Sequence, residues 1–299
     1  FDFSPGINII WGENGSGKTS IIEAVHILSN GKSFKTNRLI ETITSNKKEA
    51  IVKAVFGDKN MVFHQTKKPS KKIKINNIEK STKDLVGKNP TVLVSPEEEK
   101  ITKGPHSERR RFFDRVFSNI SKTYFNNLIN YSTALKNRNT LLKQQKDKHE
   151  IEIWNNPLIK YGCQLWEERK LLHSKFNKNI EGVCGGYNKK VDITVSLDCP
   201  SDTSRNRFKK HLNEKLEKEL FLGRTLSGPH LDKYTTSFNN KDLRVYGSQG
   251  EHKLTFLIFK IAEHGFIKNE TGKKPTLLLD DLFSKLDLER GNAIFDLIK

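Results

Sequence analysis

Gly12-Glu13-Asn14-Gly15-Ser16-Gly17-Lys18-Thr19 follows the apolar run Ile7-Asn8-Ile9-Ile10-Trp11 and precedes the helical pattern Ile21, Ile22, Val25, Leu28. A strand, a glycine-rich turn and a helix in that order make a phosphate-binding loop. Gly12, Gly15 and Gly17 let consecutive backbone N–H groups turn inward around phosphates, Lys18 neutralises β/γ charge, and the Thr19 hydroxyl is one Mg²⁺ ligand. Glu13, Asn14, Ser16 and Ser20 complete the cradle, and the helix starting near Lys18 adds its positive end. The stretch predicts an α/β chain that binds a nucleoside triphosphate with Mg²⁺.

Far along the chain, Thr276 to Leu279 is a fully apolar strand that ends in Asp280-Asp281. A buried strand of this kind delivers a carboxylate beside the phosphate loop. Asp280 is therefore the expected Mg²⁺ partner. Asp281, pointing differently on an extended backbone, is either the group that polarises the attacking water or an N-cap for the segment that follows. Between these two halves, Tyr246-Gly247-Ser248-Gln249-Gly250-Glu251 opens an apolar helix, a ready anion site. In that context it resembles the signature motif of ABC-type ATPases, with Ser248, Gln249 and Gly250 at nucleotide-sensing positions. The resemblance implies an ABC-type ATPase head in which the signature of one copy closes on the nucleotide of another, giving an ATP-dependent homodimer. Ser284-Lys285-Leu286-Asp287 falls where the D-loop of such heads crosses the interface.

Composition bounds the rest. A chain of 299 residues with 34% hydrophobic content exceeds the size at which a single core usually divides, so two lobes are expected. The formal net charge of +18 draws polyanions and makes nucleic acid the leading partner. Cys163, Cys184 and Cys199 form no C-x-x-C pair, which argues against a zinc cage or a disulfide framework. The longest apolar stretch, Leu254 to Ile261, is broken by Lys260 and falls far short of the ~20 residues of a membrane span, so a soluble cytoplasmic protein with no membrane partner is expected. Phe1 in place of an initiator methionine, and the uncapped run Ala293, Ile294, Leu297, Ile298 at the other end, predict that both ends are cut.

Up to about Pro105 the pattern is strand-rich, with Ile51 to Phe56, Met61 to Gln65, Lys72 to Ile75 and Thr91 to Val94 as short runs. From His106 to about Glu181 the period becomes helical, through Phe112, Phe113, Val116, Phe117 and Ile120, then Tyr124, Leu128, Tyr131 and Leu135. Asn206 to Leu220 and Gln249 to Phe266 read as further helices and Tyr234 to Phe238 as a strand, while the lysine clusters Lys67 to Lys74 and Lys143 to Lys148 read as solvated turns. Three segments result: 1–105, the first part of an ATP-binding lobe with a mixed sheet; 106–247, a mostly helical lobe; and 248–299, completing the ATP-binding lobe.

Several segments, in order along nearly the whole chain, resemble the RecF family of bacterial recombination mediators. They are Val94-Ser95-Pro96-Glu97 with Lys103-Gly104 and Arg109 to Asp114; Tyr131 to Leu135 with Arg138-Asn139; Gly223-Arg224-Thr225 with Gly228-Pro229-His230 and Asp232; and Ser248-Gln249-Gly250. Leu231 and Lys233 stand where the family more often has Arg and Asp, and Glu251-His252 replaces the usual Gln-Gln. The resemblance implies a weak DNA-repair ATPase: ATP closes the dimer, the dimer grips double-stranded, single-stranded or junction DNA, and hydrolysis, with Lys18, Asp280 and Asp281 as catalytic residues, reopens it. It also implies RecR as a partner and, indirectly, RecA. Alternatives are another SMC-like ATPase, or a DNA clamp that binds ATP without efficient hydrolysis. Arg109, Arg110 and Arg111 are either a solvated face or DNA contacts. Arg138 is either a DNA contact or an internal salt bridge. His230 either caps a turn or has a functional role, and Trp154 and Trp166 are expected as core anchors.

Overall fold

The computed structural model describes residues 1–68, 70–187 and 191–281. In chain order the elements are α1 (Lys18–Asn30), β1 (Glu49–Phe56), β2 (Lys59–Thr66), β3 (Lys71–Ile75), β4 (Ile78–Lys80), β5 (Thr91–Val94), α2 (Lys100–Lys103), α3 (His106–Ile120), α4 (Lys122–Lys143), α5 (Lys148–Glu152), α6 (Asn155–Gly186), β6 (Ile193–Asp198), α7 (Arg205–Leu222), β7 (Lys233–Phe238), β8 (Lys241–Asp242), α8 (Leu243–Tyr246), α9 (Gln249–Thr271) and β9 (Thr276–Leu279). They form two compact units. One holds Phe1–Glu98 and the described residues from Lys274 onward; the other holds the described residues of Glu99–Lys273.

In the first unit, β1 to β4 form an antiparallel sheet in sequence order. Alternation decides which face is buried: on β2, Met61, Phe63 and Gln65 point inward, and Phe63 sits opposite Val52 of β1 and Ile73 of β3. Ile27 and Leu28 of α1 close over this face with Leu85. The lysine cluster expected as a turn is partly β3, because Ile73 alternates with Lys72 and Lys74 and is buried while the lysines stay exposed. A separate parallel pair joins β5 to β9, with Val94 beside Leu279, and α1 packs on both. β5 is buried along its whole length, which is why Thr-Val-Leu-Val shows no polar alternation.

Ile7 to Trp11 is not a strand. Ile7, Ile9 and Trp11 keep the spacing of one strand face but are exposed, and no described strand pairs with them. Alternation alone does not make a strand, since the backbone groups need a hydrogen-bonded neighbour.

The second unit is helical around an aromatic core. Phe112 and Phe113 of α3 stack on Phe259 of α9 and Tyr234 of β7, with ring centroids 6.0 and 4.2 Å apart, and Phe176 of α6 lies edge-on to both phenylalanines. Phe117 and Phe176 also meet Phe266 of α9. These contacts place α9 in the helical unit, whereas the sequence pattern assigned 248–299 to the ATP-binding lobe. The boundary after β5 falls at Glu98 rather than Pro105 because α2 packs on α3 and α9. β6, unmarked in the sequence by any strong apolar run, pairs antiparallel with β7 and buries only Ile193 and Val195.

Candidate functional site

The phosphate loop enters α1 through glycines in conformations that L side chains rarely adopt: φ is +154° at Gly12, +83° at Gly15 and +92° at Gly17. A Cβ at Gly12 would also stand 3.0 Å from the Ser16 hydroxyl. Among the described residues, the amides of Gly15, Gly17, Lys18 and Thr19 have no protein acceptor, as expected at a helix N-terminus. Lys18 Nζ donates to the carbonyls of Gly12 at 2.7 Å and Glu13 at 2.8 Å, so the cation already sits over the turn. Free N–H donors, a helix N-terminus and an ammonium at one turn suit a polyphosphate. Asn14 and Ser16 lie exposed on the turn and Ser20 on the first helical residues.

The carboxylate half of the site comes from β9. The ladder runs one residue past Leu279, with Asp280 N–H donating to Val94 O at 2.9 Å, and this fixes Asp280 at the strand end. Thr19 Oγ1 then donates to Asp280 Oδ1 at 3.0 Å, joining residues 261 positions apart. A hydroxyl and a carboxylate converging beside a phosphate loop are the donor set a hard divalent cation takes. Asp281 differs from expectation. Its φ is +53°, so the chain turns into the left-handed region instead of continuing extended. Asp and Asn tolerate that region better than other L residues. Ser284 to Asp287, the segment expected as the D-loop, lies outside the described residues.

Ser248 is the exposed N-cap of α9. Its Oγ accepts from Glu251 N–H at 3.3 Å, and Glu251 Oε2 accepts from Ser248 N–H at 2.7 Å, a reciprocal capping box. The departure at Glu251 thus has a local reason: it orients the serine on its own helix. Gly247 is required just before it, because a Cβ there would come within 2.3 Å of Leu243 O. Gln249 is exposed and Gly250 half-buried.

The segments around Tyr131 and Gly223 are each other's partners. Arg138 and Glu219 are fully buried and pair at 2.7 Å; Arg138 also donates to Asn155 Oδ1 and Thr225 Oγ1. Asn139 Oδ1 accepts from both the N–H and the hydroxyl of Thr225. Gly228, at φ +132°, passes so close to Tyr131 that a Cβ would lie 2.3 Å from its hydroxyl. Asp232 accepts from Arg169 Nη1 at 2.6 Å and Trp166 Nε1 at 2.9 Å, while Arg169 also reaches Asp114, Tyr124 and Pro229 O. Nothing local in the sequence distinguishes Arg169 from the other cations around it.

This node corrects the expected DNA contacts. Arg138 is sealed inside it. Arg109 is buried too, donating to Tyr234 O at 2.6 Å and Gly104 O at 3.0 Å. Arg110 is half-buried and donates to Asp232 O. Only Arg111 presents its guanidinium to solvent, in an ion pair with Glu108. Burial separated residues that look alike in sequence, because α3 turns its Phe112 and Phe113 side inward and takes Arg109 with it.

His230 bridges the node, with Nδ1 2.6 Å from the Tyr131 hydroxyl and Nε2 3.2 Å from Thr225 O. A carbonyl only accepts, so Nε2 carries the proton and Nδ1 accepts from Tyr131. Burial, together with the Arg110, Arg138 and Arg169 charges, lowers its pKa to about 4, against the Thr225 hydrogen bond. A base whose folded pKa is lowered contributes stability that is complete above its ordinary pKa of 6.5 and lost as pH falls toward 4. Urea unfolding of wild type should therefore lose up to about 3 kcal/mol more across that window than His230→Gln does. Parallel pH profiles for the two would exclude this role.

Among the described residues, no helix is long and apolar enough to cross a membrane, and no cluster of three or more His, Cys, Asp or Glu is placed to hold a metal. A family model described as the RecF/RecN/SMC N-terminal domain matches residues 1–299. The chain is 35% identical to the DNA replication and repair protein RecF of Alkaliphilus oremlandii (strain OhILAs), over 99% of its own length and 86% of the relative's. A solved structure of the recombination mediator protein RecF-ATPrS in the RecFOR pathway superposes with a TM-score of 0.88 at 31% identity, covering 99% of this chain and 85% of that one. An SMC head bound to the C-winged helix domain of ScpA, at TM-score 0.53 and 17% identity over 96% and 76% of the two chains, shares the fold. The fold is that of an ABC-type ATPase head carrying a helical unit.

Proposed function

The chain belongs to the RecF/RecN/SMC family and, within it, to the RecF proteins, and on that premise we propose that it is an ATP-dependent DNA-binding protein of replication and repair, with slow ATP hydrolysis as its reset. The observation that carries the ATP site is the 3.0 Å bond from Thr19 to Asp280, which unites the phosphate loop with the carboxylate strand. Thr19 and Asp280 would hold Mg²⁺, which would supply positive charge against the phosphate oxygens. Lys18 swings from the Gly12 and Glu13 carbonyls to the phosphates, because the full negative charge there attracts the ammonium more strongly than a neutral carbonyl dipole does. Asp281 orients and deprotonates the attacking water.

Ser248, Gln249 and Gly250 of a second copy complete the site, so ATP joins two chains head to tail. The exposed, capped N-terminus of α9 supports this, since it offers oriented donors to a phosphate. Closure of the dimer grips DNA at gaps or junctions, drawing on the net charge of +18. Hydrolysis releases it, in partnership with RecR and in support of RecA loading on single strands in the cytoplasm. Sedimentation of the protein with ATP and Mg²⁺ should show a dimer that is absent without nucleotide and absent for Ser248→Arg. A wild type that stays monomeric with ATP and Mg²⁺ sinks the sandwich mechanism.

A further inference from the structure

We propose that the cleft between the first turns of α6 and α7 is a grip for the sugar–phosphate backbone of DNA, distinct from the ATP site and resting on the DNA-binding reading above. The cleft measures about 450 Å³. Asn156 and Lys160 line it from α6, Arg205 and Lys209 from α7, each pair four residues apart and so on one face of its helix. Its lining contains no carboxylate.

The cationic groups have no structural task that explains them. Lys160, Arg205 and Lys209 are exposed, and none makes an ion pair among the described residues. Arg205 and Lys209, as like charges one turn apart, cost the isolated helix a few tenths of a kcal/mol. A bound polyanion would reverse that sign. Lys160 Nζ lies 5.3 Å over the ring of Tyr161, which also lines the cleft, a contact that favours this placement of the cation.

The spacing of the two rows is fixed from below. Phe208 of α7 packs on Trp166 with centroids 4.8 Å apart and slides over Gly162, where a Cβ would come within 2.7 Å of its ring. The two helices therefore approach closely along a rigid seam, and the cationic rows stand on either side of it. Pro157 and Ile159 give the cleft an apolar floor of the kind that lies against sugar rings, and Asn156 adds a neutral amide donor to phosphate oxygen. Cations on open ridges, with no buried polar group to read a head group or a base, fit a repeating phosphodiester and not a small phosphorylated metabolite.

The test uses the full protein with ATP and Mg²⁺ and a fluorescein-labelled gapped duplex, followed by anisotropy across a salt titration. In the triple variant Lys160→Gln, Arg205→Gln, Lys209→Gln, affinity should fall at least tenfold at low salt. The slope of log affinity against log salt should become shallower by about 2 to 3, since each phosphate contact contributes about 0.9. The exposed set Lys53→Gln, Lys72→Gln, Lys74→Gln removes the same charge elsewhere and should change both far less. Binding of a fluorescent ATP analogue should be the same in all three proteins. Unchanged affinity and slope in the cleft variant, or an equal loss in the second set, would overturn the cleft alone. A wild type that binds no DNA would overturn the DNA-binding function and the cleft with it.

Discussion

Replacing Arg169 by methionine should lower the unfolding free energy by about 3–5 kcal/mol, a large part of the ~5–15 kcal/mol that keeps a domain folded. The guanidinium is 1% exposed and donates through Nη1 to Asp232 and Pro229 O, through Nη2 to Asp114 and through Nε to the Tyr124 hydroxyl. Its removal strands two carboxylates, one of them the buried Asp232, whose side chain keeps the hydrogen bond from the neutral Trp166 Nε1 but loses its ion pair. Breaking such a set costs far more than the set contributes, because the partner charge stays in a medium that cannot solvate it. Adding Asp232→Asn to Arg169→Met removes that stranded charge while keeping an acceptor for Trp166, and should recover part of the loss. By contrast Arg111→Ala, at an exposed ion pair, should stay within about 0.5 kcal/mol of wild type. Urea unfolding followed by circular dichroism measures all three; a loss below about 1 kcal/mol in Arg169→Met would show that the node does not hold the helical unit together.

Chemistry carried by consecutive residues is legible in this sequence, and chemistry assembled by packing is not. The phosphate loop was legible because its chemistry is local: eight consecutive residues carry the turn, the cation and the hydroxyl. The pairing of Thr19 with Asp280 is legible in kind, since an apolar strand ending in a carboxylate has few other uses, although 261 positions separate them and only Leu278 of β9 is buried. Arg109, Arg111 and Arg138 were not separable, because the difference between a sealed ion pair and a solvated face is made by helices that come together from distant segments. Ile7 to Trp11 shows the opposite failure, a strand pattern with no partner ladder. The backbone turn at Asp281 was hidden because φ is not written in a dipeptide of two aspartates. The segment from Gly223 to Asp232, distinctive in sequence, is bound by α4 and α6 as a structural joint, and its His230 and Asp232 are explained by packing before any chemistry is invoked.

Single-turnover ATP hydrolysis should fall about 10²–10³-fold in Lys18→Ala, the size of effect produced by removing one preorganised group that stabilises developing charge. ATP affinity should fall as well, because Lys18 already meets the phosphates in the ground state and meets them more strongly as charge develops in the transition state. Asp281→Asn separates the two effects. If the carboxylate takes the proton of the attacking water, the rate should drop about 10²–10⁴-fold with ATP affinity retained. The substitution is a clean probe of that step for a conformational reason: Asp281 sits at φ +53°, a region that asparagine adopts at least as readily as aspartate. The backbone turn at the end of β9 therefore survives the change, and Asp280 keeps the hydrogen bonds that fix it to Val94 and Thr19. A rate loss then reports the missing carboxylate rather than a displaced strand. Equal phosphate release by wild type, Lys18→Ala and Asp281→Asn would instead mean that ATP acts here as a structural ligand of a DNA clamp, its binding energy closing the dimer with no hydrolytic reset.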